Sequence, residues 1–349
     1  MENSVKQNIR HLSLPMLEQY FADNGEKKFR AKQVYEWIWL KGANNFDDML
    51  NVSKELRGRL SEHFSLPAIS IDTIQYSADG TIKSRFKTFD NHLIEGVLIP
   101  TEERKTACVS SQIGCSLTCK FCATGYMARV RNLSYDEIYD QVMLINKQSI
   151  ETYNQKLSNI VFMGMGEPLL NYSNVLKAIE RISAEDGLGM SQRRITVSTA
   201  GVAKMIKKLG DDNVRFKLAL SLHAANDKKR NEIMPVNESN NIAALIEALN
   251  YYYKKTKQSV TFEYILFQNF NDSLKDAEEL VKIYRRVPAD LINLIEYNPI
   301  DASNFSKPED DKVEAFMQYL EANKVNARLR RSRGKDIDAA CGQLANKGN

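Results

Sequence analysis

The sequence predicts an α/β protein whose larger part is a parallel sheet wound by helical crossovers, either an open sheet or a complete or partial TIM-like barrel. Three observations lead there. From about residue 107, six strand-like runs (ACVSSQI, NIVFM, RRITVSTA, FKLALSLHA, VTFEYILF and LINLIEYN) alternate with helical patterns. The first 65 or so residues carry helical periodicity with few strand signals, whereas residues 69–100 switch to the pattern of a β-meander. With 349 residues, the chain exceeds what one core comfortably fills, so one large domain with a smaller attachment is expected.

In chain order, PMLEQYFADNG, FRAKQVYEWIWLKG and SKELRGRLSEHF read as three helices of an accessory domain over residues 1–66. In the second, Val34, Ile38 and Trp39 share a stripe and Trp37 lies off it; both tryptophans read as core anchors rather than base-stacking platforms. Residues 67–106 form a β-extension, with Asp79–Gly80 between two strand-like runs and Asn91 opening a second turn. Residues 107–325 hold the six βα units. Their first helix opens with Ser134 and Glu137, a capping-box pair, and continues apolar at Ile138, Val142 and Ile145. A later one places Ile242, Leu245, Ile246 and Leu249 on one face, and KVEAFMQYLEANK forms the last. Residues 326–349 are a basic C-terminal segment.

At 43% hydrophobic and 26% charged residues, the composition is that of a soluble globular chain. The opening MENSVKQNIRHLSLPM has no apolar h-region and no stretch is long enough to span a bilayer, so a cytoplasmic protein without membrane contact is expected. Net charge is +4, but residues 324–349 alone carry +5. Arg328, Arg330, Arg331, Arg333 and Lys335 crowd into eight positions, a cluster suited to phosphates or, alternatively, a strand edge with alternating arginines. Five cysteines, an odd number with three together, point to metal binding or catalysis rather than a disulfide framework.

Those three follow the first barrel strand in GCSLTCKFCATG, where Cys115, Cys119 and Cys122 are spaced C-x3-C-x2-C. Three thiolates on one turn can converge on one metal centre. Zinc would need a fourth ligand, for which Cys108 or His223 is available; a [4Fe-4S] cluster held by three cysteines keeps one iron open. The spacing, with Phe121 before the last cysteine, resembles the cluster motif of the radical S-adenosylmethionine (SAM) superfamily. The resemblance implies a partial (β/α)6 radical SAM barrel and SAM bound at the open iron. FMGMGEP resembles the superfamily's glycine-rich turn, where Gly166 and Glu167 would approach the SAM amino group. STAG, SLHA and EYNP add Ser198, then Ser221, Leu222 and His223, then Asn298, all at predicted C-terminal strand ends.

Together with the tail RRSRGKDIDAACGQL, these motifs closely resemble the dual-specificity RNA methyltransferases of the RlmN type, over nearly the whole chain. The sequence departs at Ala128, where many relatives carry glycine. The resemblance implies methylation of adenosine C2 in 23S rRNA and tRNA, with the N-terminal domain helping to hold RNA. A flavodoxin- or ferredoxin-type electron donor and a monomer are further expectations. Adenine C2 is electron-poor and the SAM methyl is itself an electrophile, so direct transfer lacks a nucleophile; a thiolate can accept the methyl first. The family's methyl carrier matches Cys341, its disulfide partner Cys108, and its proton acceptor Glu95. Two SAM molecules would be used per methyl. A mobile terminus would let Cys341 visit its partners in turn. The alternatives are a Cfr-like C8 methyltransferase and a zinc-dependent RNA-binding protein.

Overall fold

The computed structural model describes residues 6–347. Its main feature is a ten-stranded sheet in strictly sequential order: β1 (Ser70–Tyr76), β2 (Ile82–Lys87), β3 (Leu93–Pro100), β4 (Lys105–Cys108), β5 (Asn159–Phe162), β6 (Ile195–Thr199), β7 (Lys217–Ser221), β8 (Val260–Leu266), β9 (Ala289–Glu296) and β10 (Ala327–Arg330). β1 to β4 pair antiparallel and β4 to β10 pair parallel. The two edge strands do not pair with each other, so the barrel is partial.

The meander follows its turn residues. Gly80 adopts φ +86 between β1 and β2, and Asn91 adopts φ 64 between β2 and β3, conformations glycine and asparagine reach most easily. The parallel strands turn an apolar face outward to the crossover helices: Ile160, Phe162, Val197, Leu218, Phe262 and Leu294 share that face by register and are all sealed from solvent. Between β4 and β5 lies α4 (Tyr135–Tyr153), whose Ser134 and Glu137 form the expected capping box. Further helices over Tyr172–Ser183, Ala203–Asp211, Ile242–Thr256, Leu274–Tyr284 and Asp310–Ala322 follow successive strands. No helix among the described residues is long and apolar enough to cross a membrane.

Three helices, α1 (Leu14–Asp23), α2 (Lys28–Trp39) and α3 (Lys54–His63), precede the sheet and rest on the outer side of α4. The buried Trp39 stacks on Tyr135 at 5.9 Å and meets Tyr139 edge-on at 5.3 Å, while the Tyr139 hydroxyl donates to its carbonyl oxygen. Trp37 is only half-buried, with Lys41 Nζ 4.2 Å over its ring.

Two expectations are corrected. Residues 326–349 are not merely a basic tail: Ala327–Arg330 is a seventh parallel strand on β9, and alternation puts Arg328 and Arg330 on one face, Arg330 half-buried on the cavity wall and Arg328 exposed but bonded to Asn293. Nor is the rest of the segment loose. Asp336 accepts from Ser77 Oγ and the Ala78 N–H, Asp79 accepts from the Gly334 N–H, and the Ala345 N–H donates to Glu95. The segment thus bridges the lateral gap between the two edges of the sheet.

Candidate active site

The C-terminal ends of β4 to β10 open into one cavity whose wall includes Cys115, Cys119, Cys122, Glu167, Arg330 and Cys341. The expected strand ACVSSQI ends at Cys108, and beyond it the Ser110 hydroxyl donates to the Glu95 carbonyl at 2.6 Å. Gln112–Ile113 instead pairs with Arg131–Asn132, a small hairpin whose intervening loop carries the three cysteines. Close backbone approach fixes that loop. A Cβ on Gly125 would sit 2.6 Å from the Cys119 carbonyl oxygen, and the Gly125 N–H bonds to Cys122 O at 2.8 Å. Ala128 is exposed and outside the positive-φ set, so alanine is tolerated there.

Burial pushes the Cys115 thiol up to about 11 and those of Cys119 and Cys122 upward, and each of the three feels charge on a neighbouring cysteine. Such a set favours thiolate only beside a strong positive centre, which a metal cluster supplies. Among the described residues no three His, Cys, Asp or Glu side chains converge closely enough for a single metal ion. A cubane cluster offers each cysteine its own iron, so three sulfurs ringing one cavity suit it.

Gly166 has φ +90, and a Cβ there would fall 2.4 Å from the Gln112 Cβ; only glycine permits this turn. The turn aims Glu167 into the cavity, where its carboxylate accepts from the Leu169 and Ala200 N–H groups at 3.0 and 2.8 Å. Ser198 and Ser221 line the next two strands, their hydroxyls 3.2 Å apart. His223, pushed down to about 3 by burial and the Arg230 charge, is neutral; its Nδ1 accepts from the Ile265 N–H.

Cys341 enters from the opposite side on the C-terminal segment. Its carbonyl accepts from Asn298 Nδ2 at 3.3 Å, Gly342 O accepts from the Ala123 N–H at 2.7 Å, and Leu344 O accepts from Thr124 Oγ1 at 2.6 Å. The Cys341 segment is therefore pinned directly to the cysteine loop. Cys108 is buried at the tip of β4, and its thiol is pushed up to about 12 by burial and by charge on Cys341, with Arg330 opposing. Both are free thiols.

Besides Cys108, three predicted residues are not cavity walls. Leu222 is buried in the core, offering its carbonyl to Arg230 Nε. Asn298 grips Cys341 and Ser332, although its Oδ1 is buried without a partner. Glu95 lies behind the tail, accepting from Ala345 at 2.9 Å with Lys83 Nζ 3.7 Å away.

Residues 7–66 match the family described as ribosomal RNA large subunit methyltransferase N-terminal domain, and residues 109–282 match the radical SAM superfamily. A probable dual-specificity RNA methyltransferase RlmN of Cytophaga hutchinsonii is 56% identical over 98% of this chain and 93% of its own length. The dual-specificity RNA methyltransferase RlmN of Anaeromyxobacter dehalogenans is 43% identical over 98% of this chain and 92% of its own. The chain belongs to the RlmN family. A crystal structure of a radical SAM methyltransferase from Sphaerobacter thermophilus superposes with TM-score 0.91 at 39% identity, over 97% of this chain and 99% of that one. Like its superfamily, this RlmN-family enzyme works with a [4Fe-4S] cluster and SAM, and it methylates RNA.

Two wall residues escaped sequence reasoning. Glu263 is the one charged residue of VTFEYIL, and register places it level with Ser221 and Asn293. Arg330 lies 3.7 Å from it. An acid inside an otherwise apolar strand was the available signal for the first; for the second, it was alternation along a strand hidden within an arginine cluster.

Proposed function

We propose that this enzyme methylates C2 of an adenosine in 23S rRNA and in tRNA through an S-methyl group carried on Cys341. The observation that carries this reading is the joining of two distant segments at one cavity: the cysteine loop and the Cys341 segment, hydrogen-bonded to each other with Cys108 alongside. Cys115, Cys119 and Cys122 would hold the cluster, and Gly166, Glu167, Ser198, Ser221 and His223 the SAM. When bound, these cofactors supply a methyl group and a hydrogen-abstracting 5'-deoxyadenosyl radical.

The chain's own residues do the rest. Cys341, as thiolate, accepts the methyl by displacement. After the methyl carbon has bonded to the base as a radical, Glu95 accepts the C2 proton and the one surplus electron left on the adduct would return to the redox cofactor. Cys108 sulfur attacks Cys341 sulfur, the Cys108 proton completes the new methyl group, and the two cysteines remain as a disulfide for external thiols to reduce. Glu95 must exchange its bond with Ala345 for this role. The helices at residues 7–66 would help hold RNA, electrons would come from a flavodoxin- or ferredoxin-type protein, and the enzyme would act in the cytoplasm as a monomer.

Incubating the cluster-loaded enzyme with an rRNA fragment and labelled SAM, then digesting the RNA for mass spectrometry, tests the reading. Methyl at C2 with two SAM consumed per methyl is expected. Methyl at C8 would assign the enzyme to Cfr chemistry and overturn it.

A further inference from the structure

Glu263 stands in the middle of β8 with about 5% of its side chain exposed, on the wall of the cavity that holds Cys341. Its Oε1 accepts from Asn293 Nδ2 at 2.7 Å, and Asn293 Oδ1 in turn accepts from Arg328 Nε at 2.6 Å, which fixes the carboxylate's orientation. Its other oxygen, Oε2, is buried without a hydrogen-bond partner. A buried, oriented carboxylate oxygen left open is costly unless something donates to it. Arg330 lies 3.7 Å from that oxygen, too far for a hydrogen bond, and its guanidinium lies beside Cys341 and Cys108. Side by side at the reacting thiols stand one unused acceptor and one donor with N–H groups to spare.

Adenine presents the complementary pair, an exocyclic amine that donates and ring nitrogens that accept; guanine carries an acceptor where adenine carries the amine. Resting on the adenosine reading above, we propose that Glu263 Oε2 accepts a hydrogen bond from the exocyclic amine of the target adenine while Arg330 donates to a ring nitrogen beside it. C2 and the amine-bearing carbon C6 are separated by N1 in the six-membered ring, so a base gripped at the amine leaves C2 itself uncovered. Guanine in the same place would set its carbonyl oxygen against the carboxylate. The pair would thus select adenine by hydrogen bonding, the kind of site that rejects a mismatched partner strongly. Burial raises the Glu263 carboxyl above its ordinary value, in keeping with an acid short of donors.

The test uses the cluster-loaded full chain, an rRNA fragment, and the same fragment with the target adenosine replaced by purine riboside, which lacks the amine. Wild-type enzyme should lose about 10- to 100-fold in kcat/KM on the amine-less RNA. Glu263→Ala should lose a similar factor on the adenosine RNA and suffer no further loss on the amine-less one. Glu263→Gln, which keeps an oxygen acceptor of nearly the same shape, should recover part of the loss and guards against misfolding of the alanine variant. Losses that multiply, full activity of wild type on the amine-less RNA, or a defect of Glu263→Ala confined to SAM affinity would each overturn the assignment. Wild-type methylation of the adenosine RNA at C2 separately checks the parent reading.

Discussion

The two halves of the active site are built in opposite ways. The cysteine loop is local: three cysteines, the tight glycines Gly114 and Gly125 and a short hairpin, all between residues 112 and 132, fix it almost by themselves. The Cys341 segment has little regular structure beyond one short turn at Lys335–Ile337, and its place is set by bonds from Thr124, Asn298, Glu95 and the β1–β2 turn. Damage to the first half should therefore remove the cofactor. Damage to the second should leave the cofactor working and uncouple it from RNA.

Cys119→Ala is expected to break the contrast most completely, abolishing iron and sulfide binding, SAM cleavage and RNA methylation together, as read by metal analysis and 5'-deoxyadenosine formation. Cys341→Ala should abolish RNA methylation as fully while iron and sulfide content stays at the wild-type level; methylation by that variant would refute the carrier role. Glu95 serves the second half twice, so its two variants should separate. Glu95→Gln keeps an acceptor for Ala345 and should slow methylation by about 10²- to 10⁴-fold through loss of the base, with amide exchange at residues 343–346 unchanged. Glu95→Ala should in addition speed that exchange.

Smaller effects follow from single anchors. Thr124→Val removes the donor to Leu344 O and should cost about 1–3 kcal/mol of local stability, seen as faster exchange in the tail and not in the cysteine loop. Asp79 is the pH-sensitive anchor. Burial would raise its carboxyl, but the Thr81 and Gly334 donors hold it down to about 2, against 3.8 ordinarily. A depressed carboxyl stabilises above its ordinary value and loses that contribution as pH falls through the folded one. Tail exchange should thus quicken between about pH 4 and 2, and Asp79→Asn should flatten that dependence.

The same contrast governs what could be read from the sequence. The cysteine loop, the GMGEP turn, the β-meander with its Asp79–Gly80 corner and the capping box at Ser134 are contiguous signals, and contiguous signals survive without a structure. The tail's order was illegible because its partners lie hundreds of residues away: Cys341 looked like a free end until Asn298 and Thr124 were seen to hold its neighbourhood. The arginine cluster left two readings open, a phosphate site and a strand edge, because alternation over four residues, Ala327–Arg330, is too short to decide against so much charge. Leu222 lay next to true wall residues, Ser221 and His223, and shared their motif while packing into the core. Glu263 went unmarked because strand period alone does not say which face is the cavity.

The bonds from Gly334 and Arg333 to Asp79 join residues 255 and 254 apart in sequence. In synthesis the meander must wait for residues 333 and 334, made much later, before the side of the barrel is closed. Such long loops close slowly, and their contacts form late. A nascent chain could assemble its cysteine loop long before Cys341 emerged, so the cavity is complete only once that distant segment has been made and has docked.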